Sequence, residues 1–100
     1  MATFARRLKE ARLKAGLSQE RLGVLAGIDE ASASARMNQY ERAKHEPDWL
    51  TVQRLATVLD VPVAFFYAED DAMAEMLLLY HASPLEARED AVNALRKKQG

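Results

Sequence analysis

Between Arg12 and Pro47 the chain marks where two helices must touch and where the backbone must turn. Ser18 is a natural N-cap for a helix over residues 19–26, and inside that run Gly23 and Ala26 are small enough to let another helix come close. Gly27 supplies a left-handed stop. A second polar helix then runs to Tyr40-Glu41-Arg42, and Pro47 blocks any continuation. These spacings predict two short helices held across a tight turn, with the second showing a polar face to solvent.

The rest of the chain has the same helical period. Phe4, Leu8 and Ala11 fall on one stripe of a helix over about residues 3–15, ended by Gly16. The helix over 19–26 turns Leu22, Leu25 and Ala26 inward. Asp29 is the expected cap for a helix over about 30–43, with Ala33, Met37 and Tyr40 inward. Asp48 caps a fourth helix, with Leu50, Leu55, Val58 and Leu59 as core, ending at Asp60 and Pro62. A short fifth turn carries Phe65, Phe66 and Tyr67. After the acidic run Glu69-Asp70-Asp71, read as solvated, a sixth helix places Met73, Met76, Leu77 and Tyr80 on one side. Ser83-Pro84-Leu85-Glu86 has an N-cap serine, a proline at the first position and a glutamate three residues after the cap, so a seventh helix should run to about Lys97. The fold class is all-α: five helices over residues 1–68 and a two-helix extension over 69–100.

Composition narrows the function classes. The chain of 100 residues is 49% hydrophobic with four glycines and three prolines, enough apolar material for a packed helical core. With no cysteine there is no disulfide framework or thiolate metal site, and His45 and His81 lie far apart in sequence. His81, alone among apolar neighbours, reads as structural. No glycine-rich phosphate loop or nucleophile motif is present, so neither an enzyme nor a cofactor is expected. The N-terminus lacks an apolar segment of signal-peptide length, and a cytoplasmic protein without a membrane partner is expected. Residues 1–54 carry ten Lys/Arg against seven Asp/Glu, whereas residues 55–100 carry four against eight. Positive charge thus collects in the half that holds the two-helix pattern, as a phosphate-binding surface requires.

Leu17-Ser18-Gln19-Glu20, Leu22, Gly23, Ala26, Gly27 and Tyr40-Glu41-Arg42 with Pro47 together resemble the phage-repressor and Cro-like (XRE) helix-turn-helix family. Leu55-Ala56, Leu59-Asp60-Val61 and Phe65-Phe66 are similar to its fourth and fifth helices, so the resemblance spans residues 4–68. It implies five helices, the second and third forming a unit that binds double-stranded DNA. Two departures stand out. Thirteen steps separate Gly27 from Tyr40 where the family pattern has about nine, which inserts about one helical turn before or within the third helix. Ala43 also stands where glycine is usual, so the third helix is expected to run on or end differently.

With Met37 inward at 100° per residue, Ser32, Ala35, Arg36, Gln39 and Arg42 point away from the core. Ala35, Arg36 and Gln39 are the candidates for base contact. Arginine forks onto guanine O6 and N7, glutamine onto adenine N6 and N7, and alanine meets a thymine methyl. Ser34 joins them because alignment with the family at Tyr40 puts a base-contacting position there. The resemblance also implies that Gln19 holds a phosphate and that Arg12 and Glu41 bridge the first helix to the third. Asn38, Lys44 and His45 stand within reach of the DNA backbone. Asp29 and Glu30 are unfavourable charges at the helix entrance.

The extension carries more apolar surface than a two-helix hairpin hides. Met73, Met76, Leu77, Tyr80, Leu85, Val92 and Leu95 are therefore expected to form a homodimer interface, which would also let two recognition helices meet the two halves of a near-palindromic site. The expected function is a dimeric repressor, sequence-specific for DNA. The alternatives are an antitoxin that pairs with a toxin and represses its own operon, and a protein-interaction module that keeps the fold without binding DNA.

Overall fold

A computed structural model describes residues 2–100, and among them every regular element is helical. The order is α1 (Ala2–Lys14), α2 (Gln19–Leu25), α3 (Glu30–Glu41), α4 (Trp49–Leu59), a 3-10 turn (Val63–Tyr67), α5 (Asp71–Ala82) and α6 (Leu85–Gln99). Phe4, Leu8, Leu22, Met37, Leu55, Phe65 and Phe66 meet in one core.

The first four helices stop in the same way. At Gly16, Gly27, Ala43 and Asp60 the backbone turns left-handed, with φ of 73°, 91°, 58° and 54°. Each helix end is closed by paired backbone bonds, such as Ala43 N–H to Tyr40 O at 3.2 Å and Lys44 N–H to Gln39 O at 2.9 Å in α3. The residue after the turn is Leu17, Ile28 or Val61 in three cases, and each packs against the core. In α3 it is Lys44, which stays exposed. The helix expected to reach residue 43 therefore ends at Glu41, because Ala43 takes the left-handed conformation despite its Cβ. That conformation costs an L-residue about 1 kcal/mol, so Ala43→Gly should raise stability by about that much in urea denaturation. An unchanged midpoint would show the turn to be unstrained.

Four further expectations need correction. Leu25 and Leu50 are largely exposed. The buried face of α2 runs through Leu22, Gly23 and Ala26, and that of α4 through Val52, Leu55, Ala56 and Leu59, which leaves Leu25 and Leu50 well round the helix from the centre of each face. Ser18 and Asp48 cap as expected, accepting from Arg21 N–H (3.0 Å) and Thr51 N–H (2.9 Å). Asp29 sits at the start of α3 without a side-chain cap bond. Ser83 does not cap α6: no side-chain cap bond forms at its start, and the Ser83 hydroxyl donates back to Leu79 O at 2.6 Å.

The acidic run is a latch rather than a solvated boundary. Asp70 caps α5 by accepting from Ala72 and Met73 N–H. Arg7, buried on α1, donates to Ala68 O (2.8 Å), Glu69 O (3.3 Å) and Asp71 Oδ1 (3.0 Å). The Arg7 guanidinium holds the Asp71 carboxyl below the usual aspartate range. The folded state therefore gains from this charge above about pH 4, and the gain fades as pH falls through the lowered value. His81 Nε2 lies 3.0 Å from Asp60 Oδ1 and ties the far end of α5 to α4.

Between these ties Ala74 is buried, and Leu77 and Leu78 pack on the core. Leu77, grouped by its sequence with the dimer surface, is thus turned toward its own domain. No packed hairpin forms. Helix α6 has no buried residue and leaves the domain as an arm, giving extents of 53 × 24 × 22 Å.

Candidate nucleic-acid interface

The contact between α2 and α3 depends on one absent side chain. A Cβ on Gly23 would lie 2.9 Å from Ala33 Cβ, 3.0 Å from Met37 Cγ and 3.2 Å from Ala33 O, so only glycine allows this approach. Ala33, Met37 and Tyr40 bury the inner face of α3. The extra length found in the sequence lies within α3, since the turn between the helices holds only residues 26–29. Ser34, Ala35, Arg36, Asn38, Gln39 and Arg42 are all exposed. At 100° per residue, Ala35 and Arg42 stand opposite the buried face, Gln39 beside them, and Arg36 and Ser34 on the two flanks.

Arg12 and Glu41 fix the orientation of that face. Arg12 Nε donates to Glu41 Oε2 at 2.6 Å and Nη2 to Oε1 at 3.0 Å, while Nη1 donates to Leu17 O at 2.9 Å. The Glu41 side chain is only 3% exposed and that of Arg12 11%. The Glu41 hydrogen bond raises the Arg12 guanidinium above its ordinary value against the opposing effect of burial. Gln19 joins the same group, donating to Glu41 Oε1 at 3.2 Å and Asn38 Oδ1 at 3.4 Å. Gln19 and Asn38, both singled out for phosphate contact, are thereby brought together at the junction of α2 and α3.

On the other flank, Arg36, Gln39, Tyr40, His45 and Glu46 line a shallow groove. Burial pushes the Tyr40 hydroxyl up, and the Arg36 guanidinium beside it pulls the other way. Asp48 is held below the usual carboxylate range, first by its bonds from Thr51 and also by Arg54 and Arg36. Arg54 received no role from the sequence. It is exposed and its guanidinium stands beside Gly27, so it adds a cation at the turn between the two helices. Its only sequence signal is an arginine on the outward side of α4. Lys44 and His45 are exposed just beyond α3, whereas Asp29 and Glu30 are exposed at its start.

Of the residues assigned to a dimer surface, Met73, Met76, Tyr80, Leu85 and Leu95 are exposed and Val92 is half-buried. They are distributed over α5 and α6. No helix among the described residues is long and apolar enough to cross a membrane. The described residues also hold no group of three or more His, Asp or Glu side chains placed to bind a metal ion.

No curated protein matches the chain. Among solved structures it is similar to one described as the crystal structure of transcriptional regulator BswR, with 45% identity over 93% of this chain and 92% of that chain and a TM-score of 0.87. The likeness therefore continues past the first five helical elements and into the arm. A family model described as a helix-turn-helix domain matches residues 3–64, which takes in α1 to α4 and both sides of the turn at Gly27. The chain belongs to the helix-turn-helix domain family.

Proposed function

We propose that this protein is a sequence-specific, DNA-binding transcriptional regulator that acts as a dimeric repressor on a near-palindromic operator. The observation that carries the reading is the exposed polar face of α3, held rigidly by Gly23 on one side and by the Arg12–Glu41 pair at its end. Ser34, Ala35, Arg36 and Gln39 read base edges in the major groove. Gln19, Asn38 and Lys44 hold phosphates, which supplies affinity without sequence information. Residues 1–68 form the DNA-binding domain and residues 69–100 the dimerising extension, where Met73, Met76, Tyr80, Leu85, Val92 and Leu95 leave apolar surface open to a second copy. Two such domains place their recognition helices about 34 Å apart, one turn of DNA. What supports a regulator, beyond the geometry, is the family match and the likeness to a transcriptional regulator.

Arg36 gives the test. On a site selected from genomic fragments, Arg36→Ala should lose about 1–3 kcal/mol of binding and little on random DNA. Equal losses on both would make Arg36 a phosphate contact and remove it from the reading set.

A further inference from the structure

Helix α6 leaves its own domain almost uncovered, and its charges are sorted along its length. Glu86, Glu89 and Asp90 lie in the first half, and Arg96, Lys97 and Lys98 in the last turns. The one cation in the first half, Arg88, is engaged by its own chain, with Nε donating to Tyr80 O (2.8 Å), Nη2 to His81 O (2.7 Å) and the guanidinium over the Tyr80 ring. Those bonds tie the start of α6 to the end of α5 and hold the arm at one angle. Leu85, Val92 and Leu95 repeat at seven and three residues with Arg88 between Leu85 and Val92, the spacing of a helix-pairing seam. A crevice at the elbow, lined by Tyr80, Leu85, Arg88, Val92 and Arg96, opens on this same face.

We infer that α6 pairs with α6 of a second copy in antiparallel orientation, across a two-fold axis near Val92 and Asn93. This deepens the dimer in the proposed function and rests on it. Antiparallel pairing sets the acidic half of each arm against the basic half of the other, and the midpoint between the two charged groups falls at residues 92–93. Parallel pairing sets like against like at both ends. An acidic start and a basic end also suit the dipole of a single helix, but that leaves the apolar seam unexplained. A two-fold axis makes the contact self-complementary, so a second copy satisfies both halves at once.

Cross-linking tests the geometry cleanly because the chain has no cysteine of its own. Val92 and Leu85 lie on a helix without buried residues, so cysteine at either should leave the domain folded. Full-length Val92→Cys should form a disulfide-linked dimer on mild oxidation. Leu85→Cys should not link to itself, because antiparallel arms hold the two copies of residue 85 about 22 Å apart, far beyond the roughly 7 Å a disulfide spans. Self-linking of Leu85→Cys would overturn the antiparallel arrangement. Sedimentation of the unoxidised chain separates the remaining outcomes. A dimer that links at neither position overturns the α6 contact and leaves the dimer standing, whereas a monomer overturns both. A second readout is the double variant Arg96→Glu/Lys98→Glu, whose side chains flank the seam on its two sides, which should weaken the dimer about tenfold at low salt, and an unchanged dissociation constant would contradict the charge pairing.

Discussion

Replacing Glu41 with alanine should lower stability by about 3 kcal/mol and weaken DNA binding with it. The side chain is buried, and its two oxygens take both the Nε and Nη2 bonds of Arg12 and one bond from Gln19. Alanine leaves the guanidinium with Leu17 O alone, in a largely buried position. The cost is then mostly that of a buried charge without its partner, which exceeds what the pair itself contributes. A loss of this size shifts Tm by on the order of 12 °C or more in a domain of about 100 residues. Glu41→Gln keeps one acceptor for Arg12 and should lose less. Because α1 meets the end of α3 through this bridge, the surviving folded molecules should also show a loosened α3, seen as faster amide exchange at residues 36–41. An unchanged Tm for Glu41→Ala would mean that the orientation of α3 rests on Gly23 and Met37 alone.

Arg7→Ala should cost a similar amount, about 3 kcal/mol, through lost packing and an unpaired carbonyl rather than a stranded buried charge, because its partner Asp71 is exposed. Arg7 is among the largest fully buried side chains and lies against the Phe65 ring. Its removal leaves Ala68 O without the donor, opens a void beside Phe65, and leaves Asp71 with only the longer bond from exposed Arg6, at 3.4 Å. The expected signature is a lower urea midpoint together with faster amide exchange across residues 72–80, since α5 loses the latch at its start while His81–Asp60 holds its end. If α6 carries the dimer contact, a loosened α5 should weaken operator binding more than it weakens the binding of one domain to a half-site. Unaltered exchange in α5 would show that Ala74 and Leu77 hold the helix without Arg7.

Much of this arrangement is legible in the sequence because local chemistry decides it. The stripe Phe4, Leu8 and Ala11, the caps at Ser18 and Asp48, and the small residues at Gly23 and Ala26 each follow from spacing or side-chain chemistry. All are found as expected. The misplaced residues depend on what lies across the helix. Leu25 and Leu50 are as apolar as their buried neighbours, and only the positions of α3 and the rest of the core determine that their sides of α2 and α4 face solvent. Ser83 lies between two helix ends, and its hydroxyl bonds back to the end of α5 instead of capping α6. Arg7 lies on the buried stripe with Phe4, Leu8 and Ala11, but as a cation it breaks the apolar pattern that marks the stripe. A cation at such a position signals a buried partner, here a carbonyl and a carboxylate more than sixty residues away. The left-handed Ala43 runs against local preference, and the closing bonds from Lys44 and Ala43 to the end of α3 outweigh it.

If the exposed face of α3 binds DNA and reads its sequence, affinity must depend on both the sequence and the salt concentration. The most direct measurement is the affinity of the full chain for selected genomic fragments and for random DNA across a salt series. Binding to the selected site should be tighter by about 10³ or more at physiological salt, and affinity for both DNAs should fall by about 10³ between 50 and 200 mM salt if each copy neutralises three phosphates with cations such as Lys44, Arg42 and Arg54. Weak, salt-insensitive binding with no preference among fragments would contradict that role for α3.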